Sequence, residues 1–220
     1  MHLKLMRKFQ NLLKLNFMQR KKSKILYIDT NVILDFVSDK DNHTVVLMES
    51  VRTRNWKLKI STFAMIELAE YRKNEIFLWD KLSQNKSLNS IIKKIRNPRE
   101  NKKLKKYHFE QVSSWLENLQ QQLPNLGFLD LDSSKDENVP SSWQLAHELG
   151  VYSNLNAKDV IHLATAIAAS QNKECDFFIT NDGDLYAESK KIIKEIKLEN
   201  KLRVLKPKEF IDQFPTIKKK

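Results

Sequence analysis

The chain has 220 residues, 41% hydrophobic and 30% charged, ample for a folded core, and no apolar run approaches the length of a membrane span. A single cysteine, Cys175, excludes a disulfide framework and a cysteine-rich zinc site and fits a reducing cytoplasm. The net charge of +12 is concentrated in residues 1–28, with eight Lys/Arg and no acid, and in residues 86–106, with nine and only Glu100 as acid.

Met1 to Lys24 carries Leu5, Met6, Phe9, Leu12 and Leu13 at helical spacing among lysines, so residues 1–23 read as a basic extension. Met18 is an alternative start within it. The strand Ile25–Ile28 leads into a helix near Asn31–Val37. A second helix follows at His43–Arg54, a strand at Trp56–Ile60, and a helix at Thr62–Tyr71 capped by Ser61 or Thr62. Residues 73–122 are rich in Lys, Asn and Gln. They read as a helical hairpin inserted into the domain, with Pro98 at its turn. Leu126–Leu131 is a strand, Ser141–Leu149 and Asn156–Ser170 are helices, and Asp176–Thr180 is a strand. Leu185–Ile196 is a helix and Leu202–Leu205 a last strand. This alternation predicts a three-layer α/β/α domain over 24–214 with a mostly parallel sheet, followed by a basic tail, 215–220.

Two of the strands end abruptly in polar residues, Ile28-Asp29-Thr-Asn and Ile179-Thr-Asn-Asp182. Such endings deliver carboxylates to the carboxyl edge of a parallel sheet, where open α/β folds place ligands. Carboxylates converging there repel one another unless a hard divalent cation shares them, and such a cation points to phosphate chemistry. Each acid also has an ordinary structural role open to it. Asp29 suits a helix N-cap, Glu67 is a helical glutamate flanked by Ile66 and Leu68, Asp159 follows Asn156 in a capping arrangement, and Asp182-Gly is a turn. Their order and context carry more than any one of them.

Asp29-Thr-Asn-Val-Ile-Leu-Asp, Glu67 on the helix after the second strand, Ala157-Lys-Asp159-Val-Ile-His-Leu-Ala-Thr-Ala and Ile179-Thr-Asn-Asp182 together resemble the PIN-domain ribonuclease pattern. The toxin-type (VapC-like) branch is the nearest likeness. The resemblance covers Ile25–Leu185 with residues 73–122 as an unmatched insertion. It implies a five-stranded sheet of order 3-2-1-4-5. Asp29, Glu67, Asp159 and Asp182 would form a metal-binding acidic site for Mg²⁺ or Mn²⁺. Thr180 would orient the last carboxylate or a water, and Asn31 would stand at the rim. Asp184 is a weaker ligand, the true fourth one, or a turn residue. The implied activity is metal-dependent RNA hydrolysis leaving a 3′-hydroxyl and a 5′-phosphate, in the cytoplasm, with an antitoxin protein or a second copy as partner.

The basic stretch supplies Lys93, Lys94, Arg96, Arg99, Lys102, Lys103, Lys105 and Lys106 as RNA contacts, or as a solvated helix face. Its aromatics, Trp79, Tyr107, Phe109 and Trp115, suit either base stacking or, at helical spacing, the seam of the hairpin. His162 shares a helical face with Asp159, which would let it touch the site, but it is expected first as a half-buried helix residue. Asp130 and Asp132 are rim acids or plain loop solvation. Gly127, Gly150 and Gly183 are too scattered for a phosphate loop. A non-catalytic module that binds nucleic acid or protein is the alternative from another class. A Mg²⁺-dependent phosphatase lacks its Asp-x-Asp after the first strand.

Overall fold

The computed structural model describes residues 23–97, 106–131 and 141–215. Its elements are β1 (Ile25–Ile28), α1 (Thr30–Val37), α2 (Asn42–Thr53), β2 (Lys57–Ser61), α3 (Thr62–Ser83), α4 (Leu88–Arg96) and α5 (Lys106–Gln122). There follow β3 (Leu126–Leu129), α6 (Ser142–Tyr152), α7 (Ala157–Gln171), β4 (Phe177–Ile179), α8 (Gly183–Glu195), β5 (Arg203–Leu205) and α9 (Pro207–Gln213). The five strands form one sheet in the order β3-β2-β1-β4-β5. Every pairing is parallel. This is the order that the sequence resemblance implied.

Strand alternation sorts the core into two layers. Leu26 and Ile28 of β1 point to one face with Leu58 and Ile60 of β2. There they meet α1, α2, α3 and the C-terminal Phe210. Tyr27 and Phe178 point to the other face and pack on Leu163, Ala164 and Ile167 of α7. The central strands β1 and β4, buried on both sides, read as continuous apolar runs, whereas β2 alternates apolar residues with Lys57 and Lys59.

The helix starts are fixed by side chains of suitable chemistry. The Ser61 hydroxyl accepts from the Ala64 N–H at 3.0 Å to open α3. Ser141 and Gln144 close a reciprocal capping box at α6. Asn156 accepts from the Lys158 and Asp159 N–H groups at α7. Asp182 accepts from those of Asp184 and Leu185 at α8.

Within the insertion, α4 ends at Arg96 and α5 begins at Lys106, on either side of Pro98 in the sequence, but the stretch before them differs from the expectation. The helix begun at Thr62 does not end at Tyr71 but runs unbroken to Ser83. The chain then turns at Gln84–Ser87, with Asn85 at φ 57°, before α4. Nothing in Arg72–Ser83 breaks a helix, so the polar character of that stretch marks a solvent-facing helix rather than a loop. Pro98, the expected turn, lies outside the described residues, as do residues 1–22, Asp132 and the tail 216–220. Of the four aromatics assigned to a seam, only Trp115 packs against the core, with the Arg72 guanidinium 5.9 Å from its ring centroid. Trp79, Tyr107 and Phe109 are exposed. The helix α9 is an addition to the sequence-derived elements. Pro207 opens it, and Glu209 accepts from the Lys206 N–H at 2.9 Å.

Candidate metal centre at the carboxyl edge of the sheet

Asp29 follows β1 directly, and its N–H donates to the Ile179 carbonyl at 3.0 Å, which registers the ends of β1 and β4 side by side. It stands at the N-cap position of α1, yet its side chain makes no capping hydrogen bond. The carboxylate is 3% exposed and Oδ2 accepts from Thr180 Oγ1 at 2.9 Å. Thr180 Oγ1 in turn accepts from the Asp182 N–H at 3.0 Å. The hydroxyl therefore orients the first acid and the backbone of the last, not the last carboxylate.

Asp29, Glu67, Asp159 and Asp182 line one cleft of 410 Å³ at the carboxyl edge, with Asn31 also on its wall. Asp184 is not on that wall: it is exposed in the first turn of α8. Asp35, the second acid of the first motif, turns away as well and accepts from Asn181 Nδ2 at 2.7 Å. Asp130 is exposed and lies off the cleft.

The electrostatics differ from acid to acid. Burial pushes the Asp29 carboxyl up, against the opposing pull of His162 and of the Thr180 bond. Asp159 is pushed up to about 6 by burial and by the charges of Asp182 and Asp29. Its Oδ2 accepts from Asn156 Nδ2 at 2.5 Å. Burial also works upward on Glu67, but bonds from His162 and Thr30 outweigh it and hold that carboxyl below its ordinary value. Glu67 Oε2 accepts from Thr30 Oγ1 at 2.6 Å and from His162 Nε2 at 2.7 Å. Oε1 lies 3.5 Å from Lys158 Nζ, which also reaches Glu70 at 3.3 Å.

His162 is fully buried, at 1% exposure, rather than half-buried as the sequence suggested. Burial works against its charged form, but the Glu67 bond and the Asp29 and Glu67 charges prevail and push it up. His162, Thr30 and Lys158 are the site residues that sequence reasoning underrated. The available signal was the helical offset of three from Asp159 to His162, together with an apolar face that leaves a histidine nowhere to go but inward.

The donor set is all oxygen, which suits Mg²⁺ or Mn²⁺ rather than a softer ion. Mutual repulsion that raises Asp159 is what a shared cation relieves. As the side chains stand, no three of the acids are grouped closely enough to hold an ion among the described residues. Of the basic residues, Lys93, Lys94 and Arg96 are exposed on α4 and Lys106 is exposed at the start of α5. Arg99, Lys102, Lys103 and Lys105 lie outside the described residues. No helix among the described residues is long and apolar enough to cross a membrane.

No family model matches the chain, and no curated protein does. Solved structures similar to it include the two that follow. One is VapBC2 from Rickettsia felis bound to a DNA fragment from their promoter, at 17% identity and a TM-score of 0.44, covering 83% of this chain and 98% of that one. The other is DNA-bound VapBC from Salmonella typhimurium, at 16% identity and a TM-score of 0.44, covering 84% and 98%.

Proposed function

We propose that the chain is a metal-dependent endoribonuclease of the PIN type that hydrolyses RNA phosphodiester bonds at the Asp29–Glu67–Asp159–Asp182 cleft. Residues 24–214 form the catalytic domain, and the basic segments 1–23 and 215–220 are extensions of it. The observation that carries this reading is the convergence of four carboxylates, from three segments far apart in sequence and the helix α3, on one cleft beyond the strand ends. Mg²⁺ or Mn²⁺ held by these acids supplies charge neutralisation at a phosphate and a lower pKa for an attacking water.

The chain's own residues arrange that chemistry. Thr180 fixes one oxygen of Asp29, the α8 N–H groups fix one oxygen of Asp182, and Asn156 steadies Asp159. Asn31 and Lys158 present donors along the same cleft for the phosphodiester. The exposed Lys93, Lys94, Arg96 and Lys106 offer positive charge to the RNA backbone, and Arg99, Lys102, Lys103 and Lys105, which stand between them in the sequence, are assigned the same role from their charge alone. A cytoplasmic toxin-antitoxin setting, with an antitoxin protein or a second copy as partner, is the biological context that this reading favours.

The test is cleavage of a mixed RNA pool in Mn²⁺ or Mg²⁺, in EDTA, and by Asp29→Asn. The expected outcome is metal-dependent cutting, lost in the variant, with products ending in 3′-hydroxyl and 5′-phosphate. Products ending in 2′,3′-cyclic phosphate contradict the mechanism. One observation favours a second reading, a non-catalytic binding module: both oxygens of Glu67 already face protein donors. RNA binding without cutting, unchanged in Asp29→Asn, supports that module.

A further inference from the structure

The four acids are not held alike. Asp29 and Asp182 occupy N-cap positions and Asp159 lies in the first turn of α7, so short side chains on anchored backbone define where they point. Glu67 lies within α3, on a side chain with three rotatable bonds and no backbone partner of its own. It is the acid that needs an outside brace.

His162 is placed to be that brace. Its Nε2 meets Glu67 Oε2 at 2.7 Å, and its Nδ1 meets the Tyr27 hydroxyl at 2.7 Å. A carboxylate only accepts, so Nε2 carries a hydrogen toward Glu67 whichever way the Nδ1–Tyr27 bond runs. The ring itself is fixed. Tyr27 is fully buried and stacks on Phe178 at 5.3 Å. Phe63 meets the imidazole edge-on at 5.6 Å. The chain Tyr27–His162–Glu67 thus runs from β1 through the core on the α7 side of the sheet to the cleft. A buried imidazole needs a partner at each ring nitrogen, and here one of the two partners is a carboxylate of the cleft itself.

We infer that His162 is a positioning residue: its Nε2–H, with Thr30, pins Oε2 of Glu67, so that Oε1, whose one partner is the exposed Lys158 ammonium at 3.5 Å, is the oxygen offered to a cation. The inference rests on the nuclease reading of that cleft. It names a residue outside the acid set whose loss loosens the site without removing a ligand.

The test is Mn²⁺ binding by calorimetry, alongside RNA cleavage kinetics, for the full chain and for His162→Met, His162→Gln and Tyr27→Phe. His162→Met is expected to weaken Mn²⁺ binding about 10- to 100-fold, the range for partners that orient metal ligands. It should lower kcat while KM for RNA stays within about twofold, as an RNA-contacting residue would not. His162→Gln, whose amide N–H reaches the same oxygen, should recover to within about threefold of wild type. Tyr27→Phe should weaken Mn²⁺ binding about three- to tenfold, because the ring loses its anchor. Mn²⁺ binding that none of the three variants alters overturns the positioning role and leaves the nuclease reading intact. A glutamine variant as weak as the methionine one overturns it too. If His162→Met fails to fold, Tyr27→Phe decides, and unchanged affinity there sinks the inference. A wild-type chain that binds no Mn²⁺ removes the nuclease reading, and the brace with it.

Discussion

Glu67 Oε2 and His162 Nε2 stand 2.7 Å apart although 95 residues separate them in the chain. That bond joins α3 to α7 across the open end of the sheet. The acids nearby are therefore in unequal states, and the inequality can be measured.

Asp159 is raised by burial and by its acidic neighbours. Its carboxyl is pushed up to about 6 from 3.8 by burial and the charges of Asp182 and Asp29. A carboxyl with a raised folded pKa binds its proton more tightly in the native state. Its contribution is thus most favourable below the unfolded pKa and is lost as pH rises through the folded one. A shift of this size corresponds to about 3 kcal/mol, reduced to roughly 1–2 kcal/mol because the group is partly open to solvent. Asp159→Asn should raise the Tm of the metal-free protein by roughly 3–6 °C at pH 7 and leave it unchanged near pH 4. Melts in EDTA at both pH values check this, and equal gains at both would refute it.

Lys158 is 55% exposed and bridges Glu67 and Glu70 at 3.5 and 3.3 Å. Exposed ion pairs of this kind are worth up to about 1 kcal/mol. Lys158→Ala should leave metal-free stability almost unchanged. It should tighten Mn²⁺ binding by about 1.5- to 5-fold, since the cation no longer competes with a tethered ammonium for Glu67. Weaker Mn²⁺ binding in the variant would mean that the lysine organises the acids instead.

Much of the lining of this cleft was legible in the sequence, and the reasons differ residue by residue. Asp29 and Asp182 were readable because a hydrophobic strand that stops in Asx residues delivers them to the ligand-binding edge of a parallel sheet. Asp159 was readable from Asn156 three residues ahead. The role of Thr180 was not, because which of two carboxylates a hydroxyl serves depends on the registration of β1 against β4. His162 was underrated because a histidine on an apolar helix face is ordinarily a core residue. The length of α3 was hidden because a polar helix without glycine or proline gives no stop signal. The last helix, α9, has a Pro-x-Glu start signature, but a single turn of apolar periodicity after it is a weak signal in so short a stretch.

That helix is no appendage. Phe210 is fully buried and packs against Trp56, Phe177 and Phe214 at ring distances of 5.4, 5.2 and 4.9 Å. Phe210→Ala should destabilise the fold by about 3–5 kcal/mol, the cost of an aromatic cavity in a packed core. Denaturant unfolding measures this directly, and a loss under about 1 kcal/mol would show that α9 is dispensable.

Cys175 offers a reporter for such experiments. It is 2% exposed, and burial pushes its thiol up to about 12. The native protein should resist alkylation by iodoacetamide at pH 8, and unfolding should expose one reactive thiol per chain. Rapid labelling without denaturant would contradict the burial.

Lys93, Lys94 and Arg96 are exposed in the last turn of α4. Replacing all three with Gln should weaken RNA binding and reduce the magnitude of the slope of log affinity against log salt by up to about 2. Replacing Lys102, Lys103, Lys105 and Lys106 should act in the same direction. Unaltered binding across several salt concentrations would assign these charges to solvation alone.

The uninterrupted course of α3 has a mechanical corollary. Glu67 sits near one end of this rod and Ser83 closes the other, about 24 Å away at the rise of an α-helix. The inserted helices α4 and α5 are braced against that same rod, and Trp115, Leu116 and Leu119 of α5 join it in the core. A load that tilts the insertion therefore reaches the carboxylate through a stiff lever rather than a loop. The insertion and the acid geometry at the sheet edge are two ends of one strut.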